Sequence, residues 1–308
     1  MKSLRNLVHG AGTWCRGRNR RLRVPGRAHH AKLFPLQGFF LKGGFETRPY
    51  LLLILMFMFM FMFMLMAAPV HANLREGLVG WWRLDEATTA NAVDSSIYGK
   101  TLTTVQTAVV QNCPRGRCRN FNGTTDYLTV GNVSELSFTD NFTLSAWIYP
   151  TAYHTVGYFG LKNVIFTKET GGCVTVNYLM QVDNATTLRF IKRTGAEALI
   201  SYGFGGLASL TNVWTLVTMV ISGGNVSLYT NGVLRSSLAV AVISPGVNDV
   251  LAFGSFNPGV SQTETLFTGN IDDIRIYNRA LSAAEVADLY STGAVWKKAV
   301  FKNMKMNQ

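Results

Sequence analysis

Charged residues are scarce in this 308-residue chain, at 15%, whereas hydrophobic residues make up 48%. This composition excludes wholesale disorder. The formal charge of +12 does not describe the body, because residues 1–48 hold eleven bases and one acid, whereas residues 73–295 hold 14 bases and 16 acids. The body therefore lacks the basic surplus that phosphate neutralisation needs, and we expect no nucleic-acid partner.

Catalytic signatures are also missing. The sequence contains no G-x-S-x-G, no H-E-x-x-H and no phosphate-binding glycine loop. The adjacent acids Asp85-Glu86 and Asp272-Asp273 would point to opposite faces of a strand, which does not suit a glycosidase carboxylate pair. His154 has no nucleophile or orienting partner that the sequence identifies. We predict no catalytic residue, and expect His154 in a solvated loop.

One long apolar run occurs, at residues 51–66, and small residues follow it up to Ala72. A basic flank, an apolar run and a small-x-small exit are typical of a secretory signal peptide. We therefore assign 49–72 to a signal peptide, with an uncleaved membrane anchor as the alternative, and expect a secreted or periplasmic body. Residues 1–48 are interpreted as a basic leader from a start codon placed too early, or as a basic arm for targeting or for nucleic acid.

Cysteine is rare, with four residues in the chain. Cys113 and Cys118 bracket Pro-Arg-Gly-Arg, a turn sequence short enough to bring the two sulfurs within bonding range. A metal site would need further ligands nearby, and none lies in sequence reach. We predict a disulfide between them, and a small core residue at Cys173.

The body, residues 73–295, alternates apolar and polar residues and is punctuated by Gly, Asn, Asp, Ser and Pro. One helix is predicted over Leu281–Tyr290, because Ser282-Ala-Ala-Glu285 is a capping box. Many strands with one late helix indicate an all-β sandwich of two antiparallel sheets. The predicted strands are Val79–Leu84, Tyr127–Val130, Phe142–Tyr149, Asn163–Thr167, Val176–Val182, Thr187–Lys192, Trp214–Ser222, Asn225–Thr230, Val250–Gly254 and Thr268–Tyr277.

Blocks of this sequence resemble the laminin-G-like jelly-roll domains of the concanavalin A-like superfamily. The resemblance runs from about residue 77 to 292, and its last block is the most specific. It implies a jelly roll of two antiparallel sheets that binds glycans or proteins outside the cell, often with structural Ca²⁺. The blocks are Gly77–Glu86, Val93–Ser96, Phe121–Val130, Phe142–Pro150, Leu228–Gly232 and Gly269–Ser282.

The same resemblance implies a calcium site where the early loop meets the last strand. Calcium takes six to eight oxygens from carboxylates and backbone carbonyls, so we expect Asp94 and Asp272 as ligands and the Gly99 carbonyl as a third. The loop here reads Ile97-Tyr98-Gly99-Lys100, where the family has small residues. The alternative interpretation is purely structural: Asp94 forms an Asx turn, and Asp272 pairs with Arg275 or Arg279.

The expected function is an exported, non-catalytic module that binds an extracellular glycan or glycoprotein. A structural or adhesive protein–protein module is the first alternative, and a glycan-cleaving enzyme the second. Sugars stack on exposed rings, and the weak ligand candidates are Tyr153, Tyr158 and Tyr202, the last in a predicted aromatic loop. Tyr149 is another ring near Tyr153, whereas Trp81, Trp147 and Trp214 are expected in the core. Residues 296–308 are expected to be a solvated basic tail.

Overall fold

The computed structural model describes residues 49–66, 73–155, 161–169, 176–192, 200–240, 250–256 and 265–292. The chain divides into two compact units, Met1–Ala68 and Pro69–Gln308. In the first unit, the apolar run forms the 18-residue helix α1, Pro49–Met66. Within the described residues, no helix is long and apolar enough to cross a membrane. The predicted leader, the signal exit after α1 and the basic tail lie outside the described residues.

In its described residues, the second unit contains fifteen strands, one short 3₁₀ helix at Ser134–Leu136 and a helix α2 at residues 283–292. The strands are β1 Leu78–Trp82, β2 Thr103–Val105, β3 Ala108–Cys113, β4 Gly116–Asn122, β5 Tyr127–Val130, β6 Phe142–Pro150, β7 Val164–Glu169, β8 Val176–Asn184, β9 Thr187–Lys192, β10 Ile200–Phe204, β11 Thr215–Ser222, β12 Asn225–Thr230, β13 Val233–Ala239, β14 Val250–Phe253 and β15 Thr268–Tyr277.

The strands form two antiparallel sheets. The eight-stranded sheet has the order β13-β12-β11-β6-β15-β4-β3, with β1 added beside β15, and the seven-stranded sheet has the order β10-β9-β8-β7-β14-β5-β2. The main core lies between them, where Trp82 and Phe253 pack with ring centroids 5.6 Å apart. The predicted all-β, two-sheet antiparallel sandwich is therefore confirmed.

A second apolar cluster lies on the outer face of the eight-stranded sheet, where Trp147 and Leu216 pack beneath Leu289 of α2. The predicted capping box begins this helix: the Ser282 amide donates to Glu285 Oε2 at 2.8 Å, and the Glu285 amide to Ser282 Oγ at 3.3 Å. Arg279 also donates to Glu285, and this bond, the largest cause, lowers the pKa of Glu285 to about 2. The predicted terminal helix is thus confirmed, two residues further along the chain.

Five strands were missed by the sequence interpretation: β2, β3, β4, β10 and β13. The prediction of an aromatic loop around Tyr202 is wrong, because Tyr202 and Phe204 both belong to the edge strand β10, which pairs with β9. The Gly and Ser residues around these rings are typical of a loop, but an edge strand with one exposed face tolerates them.

The last strand, β15, changes its neighbour halfway along. On one side it pairs with β4 over Thr268–Ile271 and with β1 over Ile274–Tyr277, while β6 lies along its other side. Asp272 and Asp273 fall between the two ladders, and Asp273 adopts a positive φ of 44°. A bulge at this point turns the backbone, so the regular alternation of side chains is broken here.

Candidate functional site: the early loop and the bulge of the last strand

The carboxylate of Asp94 organises the loop after β1. Its Oδ1 accepts the backbone amides of Trp81 and Ser96 at 2.9 and 2.8 Å, and its Oδ2 accepts Ser96 Oγ and the Lys100 amide at 2.7 and 2.8 Å. The bond to the amide two residues on is the Asx turn of the structural interpretation. Asp94 is nearly buried, and these four donors occupy the lone pairs of both oxygens.

Asp273, at the bulge, is the centre of a charged cluster. Its Oδ1 accepts Trp81 Nε1 at 2.7 Å and Arg275 Nε at 3.1 Å, and its Oδ2 lies 2.6 Å from Arg115 Nε. The Arg275 guanidinium also lies over the Trp81 ring, 4.6 Å from its centroid, in a cation–π contact. The alternative interpretation, in which Asp272 pairs with Arg275 or Arg279, is therefore wrong. Arg275 forms its ion pair with Asp273, and Arg279 forms its ion pair with Glu285.

Arg115 reaches this cluster from a disulfide-closed hairpin. Cys113 and Cys118 form the predicted disulfide at the tip of the β3–β4 hairpin. The Arg115 amide donates to Asp272 Oδ2 at 3.2 Å, and its Nη2 donates to the Leu289 carbonyl of α2 at 3.5 Å. The hairpin tip thereby joins the last strand to the C-terminal helix.

Asp272 itself is fully buried, and its Oδ1 has no hydrogen-bond partner among the described residues. Burial is the largest cause that raises the pKa of Asp272 well above its usual value, and the charge of Asp273 raises it further. A buried carboxylate oxygen without a hydrogen-bond partner is a feature that suits an additional ligand.

The described residues fit the expected calcium ligand set only in part. Asp272 has one free oxygen, but both oxygens of Asp94 are occupied by donors, and the Gly99 carbonyl already accepts the Thr101 amide at 3.1 Å. No cluster of three or more His, Cys, Asp or Glu suited to a metal occurs in the described part of the chain. The Asp94 geometry does not fit a calcium ligand, so calcium binding stays a prediction of the resemblance.

We predict that Asp272→Asn raises the melting temperature at pH 8 by a few degrees. This corresponds to an increase in the free energy of unfolding on the order of 1 kcal/mol. Asn keeps an acceptor for the Arg115 amide but removes the buried charge. Because the folded-state pKa is raised, the stability that protonated Asp272 contributes is fully present below the unfolded pKa and is lost as pH rises through the folded pKa. The gain should therefore vanish near pH 3.

Thermal melts of both proteins from pH 3 to 8, with EGTA and with excess Ca²⁺, check this prediction. If Asp272 binds calcium, added Ca²⁺ raises the melting temperature of the unmodified chain and leaves Asp272→Asn unmoved. A stability difference that stays constant with pH would contradict the burial of a charge at Asp272.

The aromatic ligand candidates do not meet at one place. Tyr153 packs partly against the main core, and its hydroxyl lies 3.1 Å from Thr211 Oγ1. Tyr202 also packs against the core, and its ring stacks on Phe190 with centroids 6.2 Å apart. Tyr158 lies outside the described residues. Both described rings are partly exposed and lie on different elements, Tyr153 after β6 and Tyr202 on β10.

Six acids in the described residues form ion pairs with basic side chains. Such pairs serve the fold, whereas a glycosidase needs two carboxylates that face a substrate. The ion pairs are Arg83–Asp85, Lys100–Glu135, Arg115–Asp273, Arg119–Glu86, Arg189–Asp183, Arg275–Asp273 and Arg279–Glu285.

A shallow cleft of about 140 Å³ lies beside the Asp94 loop, lined by Arg75, Leu78, Trp81, Ser95, Ser96 and Ile97. Small-molecule pockets usually measure about 300–1,000 Å³. A cleft of this size would enclose a single sugar ring only in part. An extended glycan would therefore have to bind on an open surface.

The sequence interpretation missed Asp273, Arg115 and Trp81 as members of the buried charged cluster. The adjacent acids of β15 were visible, but the alternation rule does not tell which of them faces the arginines once a bulge intervenes. Arg115 was visible only as part of a turn between two cysteines.

Comparison with known families decides the assignment. The model of the concanavalin A-like lectin/glucanases superfamily, in its laminin-G form, matches residues 122–287. The chain belongs to this superfamily. The matched region includes β5–β15 and the bulge of β15, and the predicted family is confirmed.

Solved structures share this superfamily fold. The binding domain of Paraclostridial Mosquitocidal Protein 1 has a TM-score of 0.55 at 17% identity, over 71% of this chain and 53% of that one. The botulinum neurotoxin serotype D binding domain has a TM-score of 0.54 at 16% identity, over 72% of this chain and 53% of that one. A third similar structure is domain 4 of AbnA, a GH43 extracellular arabinanase from Geobacillus stearothermophilus, solved in complex with arabinotriose. It has a TM-score of 0.51 at 21% identity, over 69% of this chain and 98% of that one.

This chain spans about half the length of the toxin binding domains, but matches nearly all of the arabinanase domain. At these identities the likeness shows the fold alone. The shared unit is thus one jelly roll, which forms about half of each toxin binding domain and nearly all of the arabinanase domain.

Proposed function

We propose that this chain is an exported, non-catalytic module that binds carbohydrate. The observation that carries the proposal is that its jelly roll matches, over 98% of that domain's length, a domain solved with arabinotriose. The engagement of six described acids in ion pairs supports binding over cleavage.

Export is part of the proposal. The apolar segment with its small-residue exit supports a signal peptide, and the Cys113–Cys118 disulfide suits an oxidising compartment outside the cytoplasm. Mass spectrometry of the mature N-terminus after expression tests this part. A new N-terminus at Asn73 supports a cleaved signal, whereas an intact N-terminus on a membrane-bound protein contradicts it.

A glycan array probed with the full chain, with EGTA and with Ca²⁺, tests the binding function. We expect a small set of related glycans to retain the protein. A signal that EGTA removes would support calcium at the binding site, and one that EGTA leaves unchanged would contradict it. The absence of any signal across a broad array would overturn the carbohydrate proposal in favour of a protein partner.

A further inference from the structure

Four partly exposed side chains form a straight row across four neighbouring strands of the eight-stranded sheet. The row consists of Asn120 on β4, Asn270 on β15, Tyr149 on β6 and Trp214, which immediately precedes β11. Asn270 is the register partner of both Asn120 and Tyr149, and the pairing of Thr215 with Ile148 places Trp214 beside Tyr149.

The row lies on the outer face of this sheet. Ile271 and Ile148, the neighbours of Asn270 and Tyr149, point into the main core, so alternation directs the row outward. Trp214 packs against the outer cluster beneath α2. The next row inward, Asp272–Trp147–Leu216, is buried, with Tyr290 of α2 5.7 Å from the Trp147 ring.

The two aromatic rings form one end of the row. Their centroids lie 5.4 Å apart with the planes inclined by 44°. Both are partly exposed, and neither the Tyr149 hydroxyl nor the Trp214 indole N–H has a hydrogen-bond partner among the described residues. An apolar ring with a polar edge is the surface on which the C–H face of a sugar packs while its hydroxyls find partners.

The two amides form the other end. Asn120 Nδ2 donates to Asn270 Oδ1 at 2.7 Å, which fixes both side chains relative to each other. Asn120 Oδ1 and Asn270 Nδ2 have no partner in the part of the chain that the structure describes. One acceptor and one donor side by side match the vicinal hydroxyl groups of a sugar, and this holds in either orientation of the amide pair.

The row contains no charged side chain, and it extends over about 14 Å, three spacings between neighbouring strands. This length suits a short oligosaccharide lying across the strands. It is narrow for a protein partner, since specific interfaces bury about 800 Å² on each side. The polar Thr268 and Asn122, which pair with each other, continue the sheet face beyond the row.

We infer that the row Asn120–Asn270–Tyr149–Trp214 is the carbohydrate-binding surface and that it takes an uncharged glycan chain. This inference rests on the proposed function and adds to it a place and a ligand class. The rings supply packing against the sugar, and the amides select hydroxyl geometry. A carboxylated glycan gains no cation from the row and is disfavoured.

Native affinity electrophoresis of the full chain tests the inference, with soluble arabinan, xylan, β-glucan or galactomannan in the gel, and polygalacturonate as the acidic counterpart. We expect at least one neutral polysaccharide to retard the protein. Trp214→Ala should weaken that binding about tenfold or more, and Asn120→Ala several-fold. Asn120→Ala leaves the ring packing intact, so it remains informative if Trp214→Ala fails to fold.

Tyr98→Ala is the matched control, because it removes a ring that is 39% exposed in the loop between β1 and β2, which contributes no residue to the row. This variant should bind like the unmodified chain. Unchanged binding in folded Trp214→Ala and Asn120→Ala would overturn the row but leave carbohydrate binding in place. Retardation by polygalacturonate alone would overturn the neutral ligand class. If neither this panel nor the glycan array retains the unmodified chain, the proposed function fails, and the inference fails with it.

Discussion

Replacing Gly269 with alanine is expected to destabilise the protein by about 4 kcal/mol or more. Gly269 lies on β15 between β4 and β6, opposite Phe121 and Pro150. Its φ is +137°, and an added Cβ would lie 2.1 Å from the Tyr149 carbonyl oxygen. Because the obstructing atoms are backbone atoms of a central strand, no rotamer change can relieve the collision.

Gly203→Ala provides the matched control. Gly203 lies on the edge strand β10, and an added Cβ would meet nothing within 4 Å, so its effect should stay within about 1 kcal/mol. Urea denaturation followed by tryptophan fluorescence measures both variants. If Gly269→Ala unfolds at the same urea concentration as Gly203→Ala, the close approach of β15 and β6 is wrong.

Arg115→Ala is expected to cost about 3 kcal/mol, because it removes one cation from a buried carboxylate. The Asp273 side chain is 3% exposed, and Arg115 Nε lies 2.6 Å from its Oδ2. Arg275 and Trp81 still donate hydrogen bonds to Asp273 Oδ1 in this variant. The buried carboxylate of Asp273 therefore keeps part of its compensation. The variant also loses the contact to the Leu289 carbonyl, and the end of α2 should become easier to open.

Two further variants separate the causes. Arg83→Ala removes a surface pair, Arg83–Asp85, in which the arginine side chain is 56% exposed, and it should cost at most about 1 kcal/mol. Adding Asp273→Asn to Arg115→Ala should recover part of the loss, since the unpaired charge disappears. Equal costs for Arg115→Ala and Arg83→Ala, in urea denaturation, would contradict the assigned role of Arg115.

The strands with clear alternation were predictable from the sequence because each has one face in the core. In β6, for example, Leu144, Ala146 and Ile148 point into the sandwich, and the predicted boundaries differ from the observed ones by one residue. The missed strand β4 contains Arg119, which is fully buried. The backbone carbonyls of Thr88 and Ala90 accept hydrogen bonds from its guanidinium. The sequence does not reveal these distant partners.

Individual residues of the candidate site were predictable from the sequence, but their arrangement in space was not. The disulfide followed from the turn between Cys113 and Cys118. Asp94 was expected as a calcium ligand, with an Asx turn as the alternative, and the structure shows the Asx turn. Trp214 was expected in the core but is only partly buried, because β11 begins one residue after it. The row that it forms with Tyr149 combines four separate segments of the chain, and only the sheet register brings them together.

Binding without cleavage is the central claim, and one assay addresses both parts. The full chain is incubated with the neutral polysaccharide that retards it most strongly, and both the bound protein and the free reducing ends are measured over time. We predict bound protein and a constant number of reducing ends. Reducing ends that increase with time, and that stop increasing when one carboxylate is replaced by its amide, would contradict this account.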